Sequence, residues 1–149
     1  MSKKKIDKLQ DILMKTIADA DDTILGCVVT NERGLIVSEV ILDGQSNETL
    51  AAMVSLVSDS TQRVSKNLGY GNPRTSLIRP PGVTIAVSEF LVMNRRFRMG
   101  TILEHSKSRR SLFRRRQQTL EGIEDMQNKA IREIRSTLED RRIRSHSRE

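Results

Sequence analysis

Few residues of this chain have the types and spacing that chemistry at an active site requires. The two histidines, His105 and His146, lie far apart in polar surroundings, and no Cys/His cluster has the spacing of a metal site. The sequence also lacks a nucleotide-binding glycine loop and a Ser/His/Asp arrangement. Cys27 is the single cysteine, and its apolar neighbours indicate a core residue rather than a nucleophile. The sequence therefore predicts a protein that is not an enzyme and that uses no metal or cofactor.

Phosphate binding is the chemistry that the arginine-rich segment 106–116 could perform. Residues 1–105 carry 13 Lys/Arg against 12 Asp/Glu, whereas the last 44 residues carry 13 against 7, so the excess charge lies in the C-terminal part. Such a segment could bind nucleic acid or an anionic membrane surface. The chain has only four aromatic residues for base stacking, and only Leu112 and Phe113 could insert into a bilayer beside the arginines. Nucleic-acid and membrane-surface binding therefore stay alternatives to a protein partner.

The sequence gives no sign of a membrane-spanning or secretory segment. No run approaches the roughly 20 apolar residues that a spanning helix needs. The lysines at 3–5 are not followed by the apolar stretch of a signal peptide, because charges interrupt residues 6–20. We therefore expect a cytoplasmic protein.

An apolar hairpin organises the N-terminal half of the chain. Residues 24–40 consist of two apolar runs separated by the sequence Asn-Glu-Arg-Gly at 31–34. A short polar segment that ends in glycine is typical of a hairpin turn, because glycine readily takes the left-handed conformation. Both faces of the first run are apolar, so we expect helices above and below the sheet.

Two helices flank this hairpin. Apolar residues at three- and four-residue spacings predict an amphipathic helix over 5–20 and a longer one over about 48–68. The stripe of the second helix that we expect to pack on the sheet is Leu50, Met53, Val54, Val57, Thr61, Val64 and Leu68. A separate row of small residues on this helix would let another helix approach closely.

Three further strands should follow the second helix. We expect them over 74–79, over 83–89 and from about 97 to 103. Between the last two lie the apolar residues Phe90, Leu91, Val92 and Met93, where a loop or strand end is expected. They can belong to the core or form an exposed contact patch.

Residues from about 9 to 103 resemble the roadblock domain of the dynein light-chain family. The matching features are the order of elements, the strand Gly26–Val29, the turn at 31–34 into Leu35–Ser38, the helix start Leu50–Met53, the helix end Gly69–Gly71 and Gly100 in the last strand. The resemblance implies an α+β sandwich with a five-stranded antiparallel sheet and the order α-β-β-α-β-β-β-α. It places the first and last helices on one face and the second helix on the other.

The resemblance also implies a function. Roadblock domains typically dimerise through their second helices and third strands, and the dimers serve as platforms for Ras-like small GTPases. In the bacterial gliding-motility system the dimer activates its GTPase. We therefore expect a homodimer, or a mixed dimer with a paralogous roadblock subunit, that binds a Ras-like small GTPase as an activator or a scaffold. The residues expected at the dimer interface are Ala51, Ala52, Ser55, Ser58, Gln62, Arg74, Thr75 and Leu77.

The C-terminal part departs from the family pattern. We expect a roadblock-like domain over 5–105 and a basic helical extension over 106–149. The apolar stripe of this extension could dock on its own sheet, form a coiled coil with the dimer mate or lie on another protein, and the coiled coil is favoured. The residues expected to contact a partner are Phe90, Leu91, Met93, Arg114, Arg115, Arg116, Leu120, Ile123 and Ile134.

Overall fold

A computed structural model describes residues 2–20, 23–41, 47–104 and 120–140. Its elements are α1 (Lys3–Asp19), β1 (Ile24–Asn31), β2 (Ile36–Ile41), α2 (Asn47–Asn67), β3 (Thr75–Ile78), β4 (Val83–Val92), β5 (Arg95–Glu104) and α3 (Leu120–Glu139). The strands form an antiparallel sheet in the order β2-β1-β5-β4-β3. The predicted fold class and order of elements are confirmed.

The hairpin between β1 and β2 closes as its sequence predicts. The Asn31 side-chain oxygen accepts hydrogen bonds from the backbone N–H groups of Arg33 and Leu35, each at 3.0 Å. Gly34 has a φ of 81°, a conformation that costs glycine little because it has no Cβ. The polar turn thus fixes the register of the two apolar strands.

The sheet has an apolar core on each face. The core beneath α1 and α3 includes Leu9, Leu13, Val29, Met99 and Ile134. The core beneath α2 includes Val28, Leu50, Val54, Val87 and Ile102. Because alternate residues of β1 enter opposite cores, both of its faces had to be apolar, and the predicted three-layer arrangement is confirmed.

The hairpin of β4 and β5 is longer than the sequence suggested. β4 continues to Val92 and β5 starts at Arg95, so residues 90–92 belong to a strand rather than to a loop. The turn residues Met93 and Asn94 have φ values of 49° and 63°. Positive φ at both positions is the geometry of two-residue hairpin turns, but this sequence lacks the glycine that usually signals it.

Candidate dimerisation and partner-binding surfaces

The face of α2 that packs on the sheet differs from the predicted one. The residues of α2 buried against the sheet include Leu50, Ala51, Val54 and Ser58. Three members of the predicted stripe are exposed instead: Met53, Val64 and Leu68. The helix lies close at Gly100, where an added Cβ would be 2.1 Å from Val54 Cγ2. The close approach of α2 to the sheet at Gly100 and the polar contacts of the helix therefore set its rotation, and the number of apolar side chains on a face does not decide it alone.

This rotation changes the set of α2 residues available to a second copy. Ala51 and Ser58, which we expected at a dimer interface, are only 4 % exposed within their own chain, so they present little surface to a second copy. Ser55 is half-buried, and its side chain lies next to Gly34 in the β1–β2 turn. Gln62 is also half-buried, whereas Ala52 is exposed.

α2 and Leu68, the residue that follows its last turn, present a row of exposed apolar side chains. Its members, which we call the outer stripe, are Met53, Leu56, Val64 and Leu68. Leu56 is 68 % exposed and Val64 is 58 % exposed. Their separations of three, eleven and fifteen residues from Met53 keep them on one side of a helix. An exposed apolar row of this length on a folded domain is a candidate contact surface.

β3 forms one edge of the sheet next to α2. It pairs with β4 on one side and is the last strand on the other. Arg74, just before the strand, is exposed, and Thr75 and Leu77 are half-buried. The Thr75 hydroxyl lies 3.0 Å from that of Ser88, and Leu77 packs on the core beneath α1 and α3. The backbone edge of β3, more than its side chains, is thus open to another strand.

A network of charged and polar side chains lies beneath the C-terminal half of α2. Ser58 Oγ donates to Glu89 Oε2 at 2.7 Å, and Gln62 Nε2 donates to the same oxygen. Arg98 is buried, and its Nη2 lies 2.7 Å from Asp59 Oδ1 while its Nε lies 3.8 Å from Glu89 Oε2. Because a buried carboxylate and guanidinium need partners, this network holds α2 in its rotation.

Sequence reasoning missed this network, although a signal was present. Glu89 and Arg98 are charged residues within β4 and β5, and the register of the two strands places them directly opposite each other. Opposite charges at facing positions of two neighbouring strands are a recognisable pair. The pairing could be deduced only after the hairpin turn was placed at residues 93–94, which the sequence did not indicate.

α3 docks on its own sheet and does not project from the domain. Ile123 and Ile134 are fully buried in the core beneath α1 and α3, whereas Leu120 is 54 % exposed. The coiled coil that the sequence favoured for this stripe is therefore wrong for these residues. The physical reason is that β4, β5 and α1 leave an apolar surface that the stripe of α3 covers.

Two polar anchors fix α3 in this position. Gln127 is fully buried, and its Nε2 donates to the Ala86 carbonyl and to the Thr101 hydroxyl, each at 3.1 Å, while its Oε1 accepts from Ser88 Oγ. At the other end, the buried Lys5 Nζ donates to the Leu138 carbonyl at 3.0 Å. A cation near the last carbonyls of a helix is favourable.

The remaining predicted partner residues divide between core and surface. Phe90 is buried, and its ring stacks with that of Phe97 at a centroid distance of 5.9 Å, so it belongs to the core. Leu91 and Met93 are exposed near the β4–β5 turn. The predicted contact residues Arg114, Arg115 and Arg116 lie outside the described residues.

Burial makes the Cys27 thiol unreactive, and the described residues hold no group of side chains that could bind a metal ion. Burial raises the pKa of the Cys27 thiol from 9.0 to about 12, and the hydrogen bond with Thr101 offsets only part of this effect. Such a thiol stays protonated at neutral pH and is a poor nucleophile. Within residues 2–20, 23–41, 47–104 and 120–140, no three His, Cys, Asp or Glu side chains are grouped to hold a metal ion. No helix in the same ranges is long and apolar enough to cross a membrane.

Comparison with known proteins gives matches among solved structures only. No family model matches the sequence, and no curated protein matches it. MglB of Myxococcus xanthus is 14 % identical and superposes with a TM-score of 0.69 over 93 % of each chain. A structure described as MglB with a tetrameric arrangement is 11 % identical, with a TM-score of 0.70 over 92 % of each chain.

A Roadblock/LC7 domain from Streptomyces avermitilis is 14 % identical, with a TM-score of 0.68 over 88 % of this chain and 98 % of that domain. The chain has the roadblock fold. Within this roadblock fold, the outer stripe of α2 and the open edge of β3 lie on adjacent elements, since α2 contacts β3. The opposite side of the roadblock sheet is covered by α1 and α3.

Proposed function

We propose that two copies of this chain pair through α2 and β3, and that the dimer binds and regulates a Ras-like small GTPase. The observation that carries the proposal is the outer stripe of α2 beside the open edge of β3. Burial of an exposed apolar row is favourable, and an unpaired strand edge can pair with the same strand of a second copy, so one twofold contact uses both. The structure described as a tetrameric arrangement of MglB shares this fold and supports assembly of such chains.

The fold supports the GTPase part of the proposal. The structural likeness to MglB extends over more than nine tenths of the chain. The resemblance of the sequence to roadblock domains implies a platform for a small GTPase. In such a role the chain acts on the GTPase by contact, either as an activator or as a scaffold, and supplies no catalytic group of its own.

The proposed dimer interface is tested by introducing a charged residue into the outer stripe. Replacing Leu56 with Arg puts a charged side chain into the contact without disturbing the buried face of α2, so we expect monomers at tens of micromolar. Met14→Arg is the matched control, because Met14 is 55 % exposed on α1, on the other side of the sheet. Light scattering should find the parent and Met14→Arg dimeric. A dimeric Leu56→Arg variant would refute this interface.

GTPase binding is tested by immobilising the chain and adding Ras-like GTPases of the same organism, each loaded with GDP or a GTP analogue. We expect retention of one GTPase in one nucleotide state and weaker retention on the Leu56→Arg variant. Faster GTP hydrolysis in the complex would make the chain an activator, and an unchanged rate would make it a scaffold. Failure of every GTPase to bind in either state would contradict the proposal.

A further inference from the structure

β4 extends beyond β3 at one end of the sheet. The register of the two strands ends with Thr75 opposite Ser88, whereas β4 continues for four more residues. On its other side β4 stays paired with β5 as far as Val92 opposite Arg95. We call residues 89–92 the open β4 edge, because no other strand of the described sheet pairs with them on that side. A strand edge of this kind can pair with another chain.

An arginine from α3 already binds this edge. Arg135 Nε donates to the Leu91 carbonyl oxygen at 3.1 Å. Within a strand, the N–H and C=O groups of one residue point to the same side, so the Leu91 amide also faces away from β5. The Arg135 side chain thus takes a position at which the N–H group of a neighbouring strand would bind.

A groove of about 870 Å³ follows the open β4 edge. Ile131, Arg132 and Arg135 of α3 form one wall, and residues 72–74, which lead into β3, form the other. Clefts of about 300–1,000 Å³ are typical of ligand sites. Leu91, which is 53 % exposed, offers apolar surface inside this groove.

The groove is positively charged. Its lining includes four arginines and two carboxylates: Arg74, Arg96, Arg132, Arg135, Glu89 and Asp125. Glu89 is engaged within the chain, since it accepts from Ser58 and Gln62 and pairs with Arg96 at 3.5 Å. Apart from the Arg96–Glu89 pair, the guanidinium groups of Arg74, Arg132 and Arg135 outnumber the single carboxylate of Asp125, so the groove favours an acidic partner.

We propose that this groove binds an extended acidic peptide segment of another protein, which adds to the sheet as a strand along residues 89–92. A peptide N–H group replaces Arg135 at the Leu91 carbonyl, and the released guanidinium binds a peptide carboxylate together with Arg132. A nucleic acid fits less well, because its phosphate backbone has no N–H donor for that carbonyl. The inference goes beyond regulation of a GTPase and does not depend on it.

The first test compares probe peptides by fluorescence anisotropy with the full chain. The probe is a labelled ten-residue peptide of alternating Glu and Val. We expect it to bind at least tenfold more tightly than the same peptide with Lys for Glu, which reverses the charge. A peptide with Pro for Val loses backbone N–H donors but keeps every carboxylate, so it should also bind at least tenfold more weakly. Hydrogen exchange of the Leu91 amide should slow when the alternating Glu/Val peptide binds.

The second test reverses the charge of two arginines that line the groove. Arg132→Glu with Arg135→Glu should weaken binding of the Glu/Val peptide at least tenfold. The matched control, Lys8→Glu with Arg33→Glu, makes the same change in net charge at exposed residues outside the groove. It should weaken binding less than threefold. Thermal unfolding of both double variants verifies that each is folded.

Four outcomes would overturn the proposal. Equal losses in the two double variants would show attraction to net charge only, and undiminished binding of the Pro peptide would exclude strand addition. Competition by a single-stranded oligonucleotide of matched charge at equal affinity would point to nucleic acid instead. A change of oligomeric state in Arg132→Glu with Arg135→Glu, seen by light scattering, would show that a second copy of the chain occupies the groove.

Discussion

At the scale of single residues, Gly100 determines how closely α2 approaches the sheet. A Cβ at this position would lie 2.1 Å from Val54 Cγ2, far inside van der Waals contact. We therefore expect Gly100→Ala to lower the free energy of unfolding by about 1–3 kcal/mol, the usual cost of overpacking a core. Urea unfolding measures the change. Gly71→Ala is the control, because an added Cβ there meets no atom within 4 Å.

A rescue experiment separates overpacking from other effects of Gly100→Ala. Shortening Val54 to Ala removes the clashing methyl groups, so the double variant should be more stable than the sum of the two single changes predicts. Strict additivity would show that contact with Val54 is not the cause. The roadblock resemblance singled out Gly100 from sequence alone, but the reason for a glycine at this position required the neighbouring helix.

The buried Cys27 thiol is expected to make the free energy of unfolding depend on pH. Its pKa is about 12 in the folded chain against 9.0 for an ordinary thiol, so the unfolded chain ionises first. The contribution of this group to folding is complete below pH 9 and is lost as the pH rises toward 12, by at most about 1.4 kcal/mol per pH unit. Chemical denaturation between pH 8 and 10.5 should show a shallower fall for Cys27→Val. Identical slopes for both proteins would contradict the assignment.

At the scale of elements, the position of α3 depends on a buried amide. Gln127 makes three hydrogen bonds to β4 and β5, and its loss would leave Ser88 Oγ without this acceptor in the core. Gln127→Ala should therefore lower the free energy of unfolding by about 2–4 kcal/mol through lost hydrogen bonds and a cavity. The exposed neighbour Asn128 is the control, since Asn128→Ala should change stability by less than about 0.5 kcal/mol. A loss below 1 kcal/mol for Gln127→Ala would show that apolar packing alone fixes α3.

The predicted and observed elements agree in type and order but not in the orientation of α2. Hydrophobic patterning predicted the helices and strands in order, because every described element contributes apolar side chains to one of the two cores. It did not predict the rotation of α2, since apolar residues occur on both sides of that helix and buried polar contacts decide between them. Ser58 and Gln62 reach Glu89 only when the outer stripe faces solvent. The sequence could therefore place a candidate contact surface on α2, but it could not give the rotation that decides which α2 residues are exposed.

At the scale of the whole molecule, α3 belongs to the same folded unit as the sheet, because it contributes to the core beneath α1 and α3. A domain over 5–105 followed by an extension would fold without α3, yet α3 supplies five buried apolar side chains to one core: Ile123, Ala130, Ile131, Ile134 and Leu138. At about 1.5–3 kcal/mol for each large side chain, their burial is comparable to the 5–15 kcal/mol stability of a typical domain. The helix beyond the basic segment is thus expected to be necessary for folding.

Two truncations test this expectation. A chain that ends at Glu104 should lose cooperative unfolding and bind a hydrophobic dye, because the surface beneath α3 becomes exposed. A chain that ends at Asp140 keeps every described residue and should unfold cooperatively near the parent midpoint. Circular dichroism during urea titration distinguishes the two. If the chain ending at Glu104 unfolds cooperatively with an unchanged midpoint, α3 is an accessory element, and its apolar stripe is then free to serve a partner.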